Sequence, residues 1–159
     1  MKKTVMITGA SGSLGNELAI RFAKEGYSLI LHYYQNEKRI LNLKNTLEEK
    51  YNTEILIVQG DISIEEDVLK MLDKTIQHFH RIDILINNAS IAIDTTLEDK
   101  TVENFKKIVD INLIGTYLMS KHVGNYMFKE KKGNIINITS TNAIDTYYPF
   151  SMDYDASKA

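Results

Sequence analysis

Short apolar runs alternate along the chain with longer segments in which apolar residues recur every three or four positions. The runs contain little polar alternation, which is typical of strands buried on both faces of a parallel sheet. They cover Thr4–Ile7, Ser28–Leu31, Glu54–Val58, Ile82–Ile86 and Asn134–Ile138. Strand–helix–strand units with right-handed crossovers place helices on both faces of such a sheet. The pattern therefore predicts an α/β fold with a doubly wound parallel sheet.

The segments between the runs have the period of amphipathic helices. In the first, Leu14, Leu18 and Phe22 recur at four-residue steps, and Gly26 offers a C-cap. The sequence Ser63–Glu66 has the form of a capping box and predicts the start of the third helix. The other helices are marked by Ile40, Leu43 and Leu47, by Val68, Leu72, Ile76 and Phe79, by Val102, Phe105 and Val109, and by Leu118, Val123 and Met127.

The first predicted strand leads directly into a glycine-rich turn, TGASGSLG, which spans Thr8–Gly15. Glycines suit a turn that needs tight backbone angles and close approach to a pyrophosphate. The helix that follows directs free N–H groups and its positive dipole end at the phosphates. A plain strand-to-helix turn is the alternative interpretation. Because the turn follows the first strand and opens an amphipathic helix, we predict a dinucleotide site there.

Further short motifs follow in register with the predicted strands and helices. They are Asp61-Ile62 after strand three, Asn87-Asn88-Ala89-Ser90 after strand four, Asn112, Ser140 after strand five, and Tyr154-Asp155-Ala156-Ser157-Lys158. Together with the glycine turn, they make the whole chain resemble the short-chain dehydrogenase/reductase family, nearest to 3-oxoacyl-[acyl-carrier-protein] reductases. The resemblance implies a Rossmann-type sheet and hydride transfer between a nicotinamide and a carbonyl or alcohol carbon. It also implies cofactor contacts from Gly9, Ser11, Gly12, Ser13, Leu14, Gly15, Tyr33, Asp61, Ile62, Asn88, Ala89, Tyr154 and Lys158.

The resemblance also implies a catalytic set. Tyr154 is the acid in reduction and the base in oxidation, and Lys158 favours the phenolate and binds the nicotinamide ribose. Ser140 holds the substrate oxygen, and Asn112 positions a water that relays protons. Residues four apart on a helix share a face, as Tyr154 and Lys158 then do. Taken singly, the same residues have structural interpretations: a solvated Tyr–Lys pair, a strand end and a helix cap.

The segment after the second strand bears on the choice of cofactor. An acidic residue about 20 residues beyond the glycine turn usually accepts the ribose hydroxyls of NAD. Here no carboxylate occurs before Glu37, while Lys38 and Arg39 are near, and Ser11 and Ser13 could donate from the turn. We therefore predict NADP as the cofactor, with NAD as the alternative.

Two other functions stay open. The spacing Gly9-x-x-Gly12-x-x-Gly15 resembles that of the extended branch of the family, which includes nucleotide-sugar epimerases and dehydratases. A non-catalytic dinucleotide-binding regulator is the third hypothesis, although a regulator has no need of Ser140 and Tyr154.

The end of the sequence suggests an incomplete domain. A dinucleotide-binding sheet of this type has six strands in the order 3-2-1-4-5-6, whereas five are predicted here. We therefore expect residues 1–159 to form a single domain that lacks its later strands. We also expect the 159-residue chain alone to be inactive, and the full-length protein to form a homodimer or homotetramer.

Composition narrows the possible partners. The net charge is −2, and the basic residues form no long block, which argues against nucleic acid or an anionic membrane surface. The chain has no cysteine, and no apolar run approaches the roughly 18 residues of a membrane span. We expect a cytoplasmic enzyme with a small-molecule or acyl-carrier-linked carbonyl substrate. The histidines, His32, His78, His80 and His122, suggest no metal site and are expected at the surface.

Overall fold

The computed structural model describes residues 2–145 and 148–159, which contain a five-stranded parallel sheet. The strands are β1 (Thr4–Ile7), β2 (Ser28–Tyr33), β3 (Ile55–Gln59), β4 (Ile84–Asn87) and β5 (Asn134–Asn137). Their order is β3-β2-β1-β4-β5, and every neighbouring pair is parallel. The predicted α/β fold is confirmed, and the observed strand ends differ from the predicted ones by no more than about two residues.

Helices follow the strands as predicted. They are α1 (Ser13–Lys24), α2 (Glu37–Tyr51), α3 (Glu65–Phe79), α4 (Val102–Val109), α5 (Thr116–Lys129) and α6 (Met152–Lys158). A π-helical segment, Asp110–Gly115, joins α4 to α5, and a short 3-10 turn, Thr141–Ala143, follows β5. None of the helices in the described ranges has the length and hydropathy needed to cross a membrane.

The two predicted helix ends have different outcomes. Gly26 has a φ of +83° and its N–H donates to the carbonyl of Ala23, so the predicted stop of α1 is confirmed. The predicted capping box before α3 is wrong, because the N-cap is Ile64, which has no side-chain cap. Ser63 Oγ instead donates to Asp61 Oδ1 at 2.6 Å. The nearby carboxylate therefore draws the serine into the turn after β3.

The two faces of the sheet carry separate apolar cores. Val5, Ile7 and Leu31 pack with α1 and α2, whereas Met6 and Ile30 pack on the opposite face with α3 and α5. Neighbouring residues of a strand thus point into different cores, as the alternation of side chains along a strand requires. Because both faces are covered, β1 and β2 are buried along their whole length.

The β5 edge of the sheet is much more open. Each residue of β5 is exposed, and Ile135 and Ile136 have exposed fractions of 38% and 44%. The α5 helix packs against β5 through Gly124, where an added Cβ would meet Ile135 Cδ1 at 3.4 Å. Within residues 1–159, the sheet therefore has one well-covered region around β1 and a more solvent-exposed edge at β5.

Candidate active site

The turn after β1 and the segment after β4 are joined by hydrogen bonds. Thr8 Oγ1 accepts the backbone N–H groups of Asn88 and Ala89, both at 3.0 Å. The Asn88 amide donates to the carbonyls of Thr8 at 2.9 Å and Gly9 at 3.2 Å. Two motifs that lie about 80 residues apart in the sequence thus form one unit at the carboxyl edge of the sheet.

Two glycines leave the space that this unit requires. Gly9 has a φ of +64°, and a Cβ there would lie 2.8 Å from Ala89 Cα. At Gly15 a Cβ would lie 2.4 Å from the Gly9 carbonyl oxygen and 2.8 Å from Ala10 Cα. A side chain at either position would collide with backbone, which cannot rotate out of the way. The close approach of backbone to backbone accounts for glycine at both positions.

A cavity of about 430 Å³ opens in front of this turn. The first turn of α1, which begins at Ser13, carries N–H groups without intrahelical acceptors and contains no acidic side chain. The cavity is lined by Gly9, Ser11, Gly12, Ser13, Leu14, Gly15, Asp61, Ile62, Asn88 and Ala89, all predicted cofactor-binding residues. Its other walls come from residues outside the predicted contacts, namely His32, Tyr34, Gln35, Asn36, Ser90, Ile91 and Ile111.

His32 is the most informative of these additional residues. The expectation that it lies at the surface is wrong, because only 2% of the residue is exposed. Its Nδ1 accepts the N–H of Gly9 at 3.0 Å, and its Nε2 lies 3.0 Å from the carbonyl oxygen of Gly60. These bonds require the neutral tautomer with the proton on Nε2, and burial lowers the pKa of His32 below its ordinary value of 6.5. The position of His32 two residues after the buried Ile30 could have indicated that it is buried, but not which groups its ring bonds.

At the end of β2, the structure separates the roles of two adjacent tyrosines. Tyr33, the predicted cofactor contact, is 4% exposed and packs in the core between the sheet and α1 and α2. Its hydroxyl donates to Glu37 Oε1 at 3.4 Å. Tyr34 is half-exposed and lines the cavity instead. The alternation of side chains along the strand turns the first ring inward and the second outward.

The floor of the cavity lies at the end of β3. Asp61 Oδ1 accepts both the backbone N–H and the hydroxyl of Ser63, at 2.9 and 2.6 Å. Ile62 packs so closely against Gly115 that a Cβ on that glycine would lie 2.6 Å from Ile62 Cγ1. The π-helical segment that contains Gly115 is therefore in direct contact with the cavity floor.

The predicted pair Tyr154 and Lys158 lies on one face of α6. Lys158 Nζ is 5.8 Å from the centroid of the Tyr154 ring and donates to the carbonyl of Ile138 at 2.9 Å. Burial lowers the pKa of Lys158 below its ordinary value. The carbonyl of Ile138 directly follows β5, so the lysine connects α6 to the carboxyl edge of the sheet.

Ser140 stands at the N-cap of the 3-10 turn that follows β5, and its Oγ accepts the N–H of Asn142 at 3.3 Å. The side-chain amide of Asn142 donates to Asp155 Oδ1 at 3.0 Å. Asp155 directly follows Tyr154 in α6, and Ser151 Oγ also donates to its carboxylate at 2.8 Å. The turn that holds Ser140 is thereby attached to the helix that holds the tyrosine.

Asn112 lies in the π-helical segment and is 3% exposed. Its Oδ1 accepts the N–H of Ile91, and its amide donates to the carbonyl of Ile91 and to Ser157 Oγ, all at 2.9 Å. The side chain therefore connects the segment after β4 to α6. A π-helical turn is often found at functional sites, and no apolar periodicity in the sequence predicts this one.

The sequence and the fold are both similar to those of known proteins. The sequence model of the family described as short chain dehydrogenase matches residues 3–159. The chain belongs to this family. It is 32% identical over 157 residues to a 3-oxoacyl-[acyl-carrier-protein] reductase of Synechocystis sp., covering 99% of this chain and 63% of the relative. It is 29% identical over 160 residues to glucose 1-dehydrogenase 2 of Bacillus subtilis, covering 98% and 60%.

Solved structures of the family superpose closely. The structure of ElxO with NADP bound has a TM-score of 0.87 and 34% sequence identity, covering 99% of this chain and 63% of that one. The chain thus spans about 60% of the length of the relatives described here. In the part of the chain that the structure describes, no group of three His, Asp or Glu side chains is arranged to hold a metal ion.

Proposed function

We propose that the protein is an NADP-dependent oxidoreductase that interconverts a carbonyl and an alcohol. The observation that carries the proposal is that the glycine turn follows β1 and lines a cavity, while Lys158 donates to the carbonyl that follows β5, so that both belong to the carboxyl edge of the sheet. Tyr154 and Lys158 do not line that cavity themselves. Family membership supports this assignment. The carboxyl edge of a doubly wound sheet is also where ligands of this fold class bind.

The residues present fit a dinucleotide. The backbone of the turn from Gly9 to Gly15 leaves space that a Cβ would fill, and the N-terminus of α1 favours a pyrophosphate. Asp61 and Ile62, which line the cavity together with Asn88 and Ala89, are proposed to hold the adenine end. When bound, the nicotinamide supplies the hydride chemistry.

The protein supplies proton transfer and orientation. Tyr154 is proposed to give a proton to the substrate oxygen in reduction and to take it back in oxidation. The ammonium of Lys158 favours the phenolate that forms, and its anchor on the Ile138 carbonyl keeps it near the ring. Ser140 is proposed to hold the substrate oxygen by a hydrogen bond. Asn112, whose side chain bonds protein groups on both sides, is proposed to support the proton path by positioning α6.

The choice of NADP over NAD rests on the segment after β2. Tyr34, Gln35 and Asn36 line the cavity there, and none of them carries the negative charge that would repel a 2′-phosphate. ElxO, a relative by structure, binds NADP. In titrations followed by nicotinamide fluorescence, we expect NADPH to bind more tightly than NADH. Tighter binding of NADH would contradict this part of the proposal.

The proposed substrate class is a 3-oxoacyl thioester, for which the cyanobacterial relative is named. The relative named glucose 1-dehydrogenase makes a sugar the necessary comparison. A panel containing a 3-oxoacyl thioester, glucose and a simple cyclic ketone separates these classes. Turnover of glucose without turnover of the thioester would reject the proposed class but preserve the proposed chemistry.

The deciding experiment uses Tyr154→Phe in the protein expressed from its complete reading frame. The ring still packs, but the transferable proton is lost, so we expect kcat to fall roughly 10²- to 10⁴-fold with little change in the Kd of NADPH. Tyr51→Phe is the matched control, because Tyr51 ends α2 far from the catalytic helix in sequence and lies outside the cavity lining. Cofactor binding without turnover of any carbonyl by the unmodified protein would favour a regulator instead.

A further inference from the structure

Lys100 and Asp153 form an unusually buried ion pair. Their side chains are 4% and 0% exposed, and Nζ lies 2.8 Å from Oδ2 and 2.9 Å from Oδ1. Lys100 also donates to the carbonyl of Ile93 at 3.2 Å, so its three N–H groups have three acceptors. No other ion pair among the described residues is buried to this degree.

The pair joins two parts of the site that are distant in sequence. Lys100 lies in the segment 88–101, between β4 and α4, whose first residues line the cofactor cavity. Asp153 lies in the first turn of α6, and its Oδ1 also accepts the backbone N–H of Tyr154 at 3.0 Å. The carboxylate that receives the lysine therefore also holds the backbone of the proposed acid–base residue.

The segment 88–101 is also connected to the second turn of α6 by hydrogen bonds. Ile91 bonds both polar atoms of the Asn112 side chain, and Asn112 in turn donates to Ser157 Oγ. Tyr154 thus lies between two attachments that both originate in the segment 88–101. The first two turns of α6 are therefore attached to this segment, one through the Lys100–Asp153 pair and the other through Asn112.

Stability alone is a weak reason for a pair of this type. The free energy needed to remove two charges from water offsets much of the free energy gained from their attraction. A protein with a pair of apolar residues of similar size at the same place is therefore often at least as stable. What an apolar pair cannot do is accept the N–H of Tyr154 while fixing the direction of the helix.

We propose that Lys100 is a positioning residue for Tyr154. Through Asp153, its ammonium fixes the first turn of α6 to the segment 88–101. The inference rests on the proposed function, because it assigns Lys100 to the placement of the acid–base residue.

The kinetic test compares three variants of the protein expressed from its complete reading frame. Lys100→Met leaves the buried carboxylate without its partner, and the double variant Lys100→Met/Asp153→Leu replaces the pair by apolar side chains. Lys70→Met is the control, because it breaks the Lys70–Glu66 pair, whose side chains are 67% and 76% exposed. Measured quantities are kcat, KM for the carbonyl, Kd for NADPH and the thermal midpoint.

We expect Lys100→Met to lower kcat roughly 10²-fold, as a misplaced catalytic group does, while the Kd of NADPH changes less than about threefold. The double variant should recover the thermal midpoint but not kcat, because leucine cannot hold the Tyr154 N–H. Lys70→Met should retain the unmodified values. Recovery of both midpoint and kcat by the double variant would overturn the proposal and make the pair purely structural.

Hydrogen exchange tests the same inference without turnover. In Lys100→Met, the backbone amides of Tyr154 and Ser157 should exchange at least about tenfold faster, while those of β1 and β2 keep their protection. If the unmodified protein reduced no carbonyl, the proposed function would fail, and the exchange result would still decide whether Lys100 positions α6. Unchanged exchange in α6 would overturn the positioning role.

Discussion

The turn after β1 and the helix α6 lie at the same edge of the sheet but are held there in different ways. The turn is enclosed by backbone, with Gly9 and Gly15 in contact with the neighbouring segments and His32 bonded to it from β2. The helix is attached through polar side chains, of which Lys100 and Asn112 reach it from other elements. The glycine turn is thus part of the packed sheet, whereas the helix that carries Tyr154 is attached to the sheet at separate points.

This difference determines how each region keeps its geometry. In the turn, the closest contacts are between backbone atoms, which have no rotamers to order, and the side chains of Thr8, Asn88 and His32 add hydrogen bonds to them. A helix held by polar side chains depends on every partner being present, and loss of one partner leaves another buried polar group unsatisfied. Substitutions near the turn should therefore affect folding and cofactor binding together, while substitutions near α6 should affect catalysis first.

The largest effect should come from adding a side chain in the glycine turn. In Gly15→Ala, the new Cβ meets backbone atoms of Gly9 and Ala10, and we expect a loss of about 3 kcal/mol in the free energy of unfolding. NADPH affinity should fall at least about tenfold, which corresponds to about 1.4 kcal/mol. Urea denaturation and fluorescence titration measure the two quantities.

Gly124→Ala is the matched control on the open side of the molecule. This glycine also lies in a helix, but its added Cβ would make an ordinary contact at 3.4 Å with Ile135 Cδ1. Alanine should therefore stabilise α5 by about 0.5–1 kcal/mol. Equal losses in the two variants would show that the glycine turn is no tighter than the β5 edge.

Protonation of His32 should cause a smaller loss in the free energy of unfolding. Burial lowers its pKa and outweighs the Gly60 carbonyl and the Asp61 carboxylate, which both raise it. Below pH 6.5 the unfolded chain gains a proton that the folded chain does not, so the stability contributed by the neutral histidine is complete above pH 6.5. It is lost as the pH falls from there through the folded-state pKa.

His32→Phe should separate this pH effect from the structural role of the ring. It leaves the Gly9 N–H and the Gly60 carbonyl without partners, so the free energy of unfolding at pH 8 should drop by about 2 kcal/mol. The additional loss between pH 6.5 and more acidic values should become smaller than in the unmodified protein. An identical pH dependence in both proteins would assign that loss to other groups.

The smallest change in the free energy of unfolding should come from removing one methyl group from a strand, and it should be larger in the covered β2 than in β5. Ile30→Val removes a methyl group from a fully buried position and should cost about 0.5–1.5 kcal/mol. In the 159-residue chain, the same change at Ile136, which is 44% exposed there, should stay within about 0.5 kcal/mol of zero. Urea denaturation compares the two variants directly. A larger loss at Ile136 than at Ile30 would contradict the assignment of β5 as the open edge.

Local sequence was sufficient to predict the strands and the α-helices in their chain order, but not the π-helical segment Asp110–Gly115. Val5, Ile7 and Leu31 belong to runs that only a sheet covered on both faces can bury. Of the predicted α1 face, Leu18 and Phe22 pack against this core, whereas Leu14 is 50% exposed. The glycine turn was predictable as well, because the backbone geometry it requires is accessible to few other residues. Ser140, Tyr154 and Lys158 were selected by family resemblance, and their catalytic roles stay a prediction.

Tertiary structure decided what depends on partners far away in the chain. His32 looks like an ordinary strand residue until the fold brings Gly9 and Gly60 to its two ring nitrogens. The core position of Tyr33 and the cavity position of Tyr34 depend on which face of β2 each one occupies. Lys100 and Asp153 are 53 residues apart, and nothing local indicates that they meet. Hydrophobic periodicity and turn chemistry depend on residues that are close in the chain, so helices, strands and turns can be predicted from the sequence. The pairing of buried polar groups depends on residues from different elements and is therefore decided only when those elements pack.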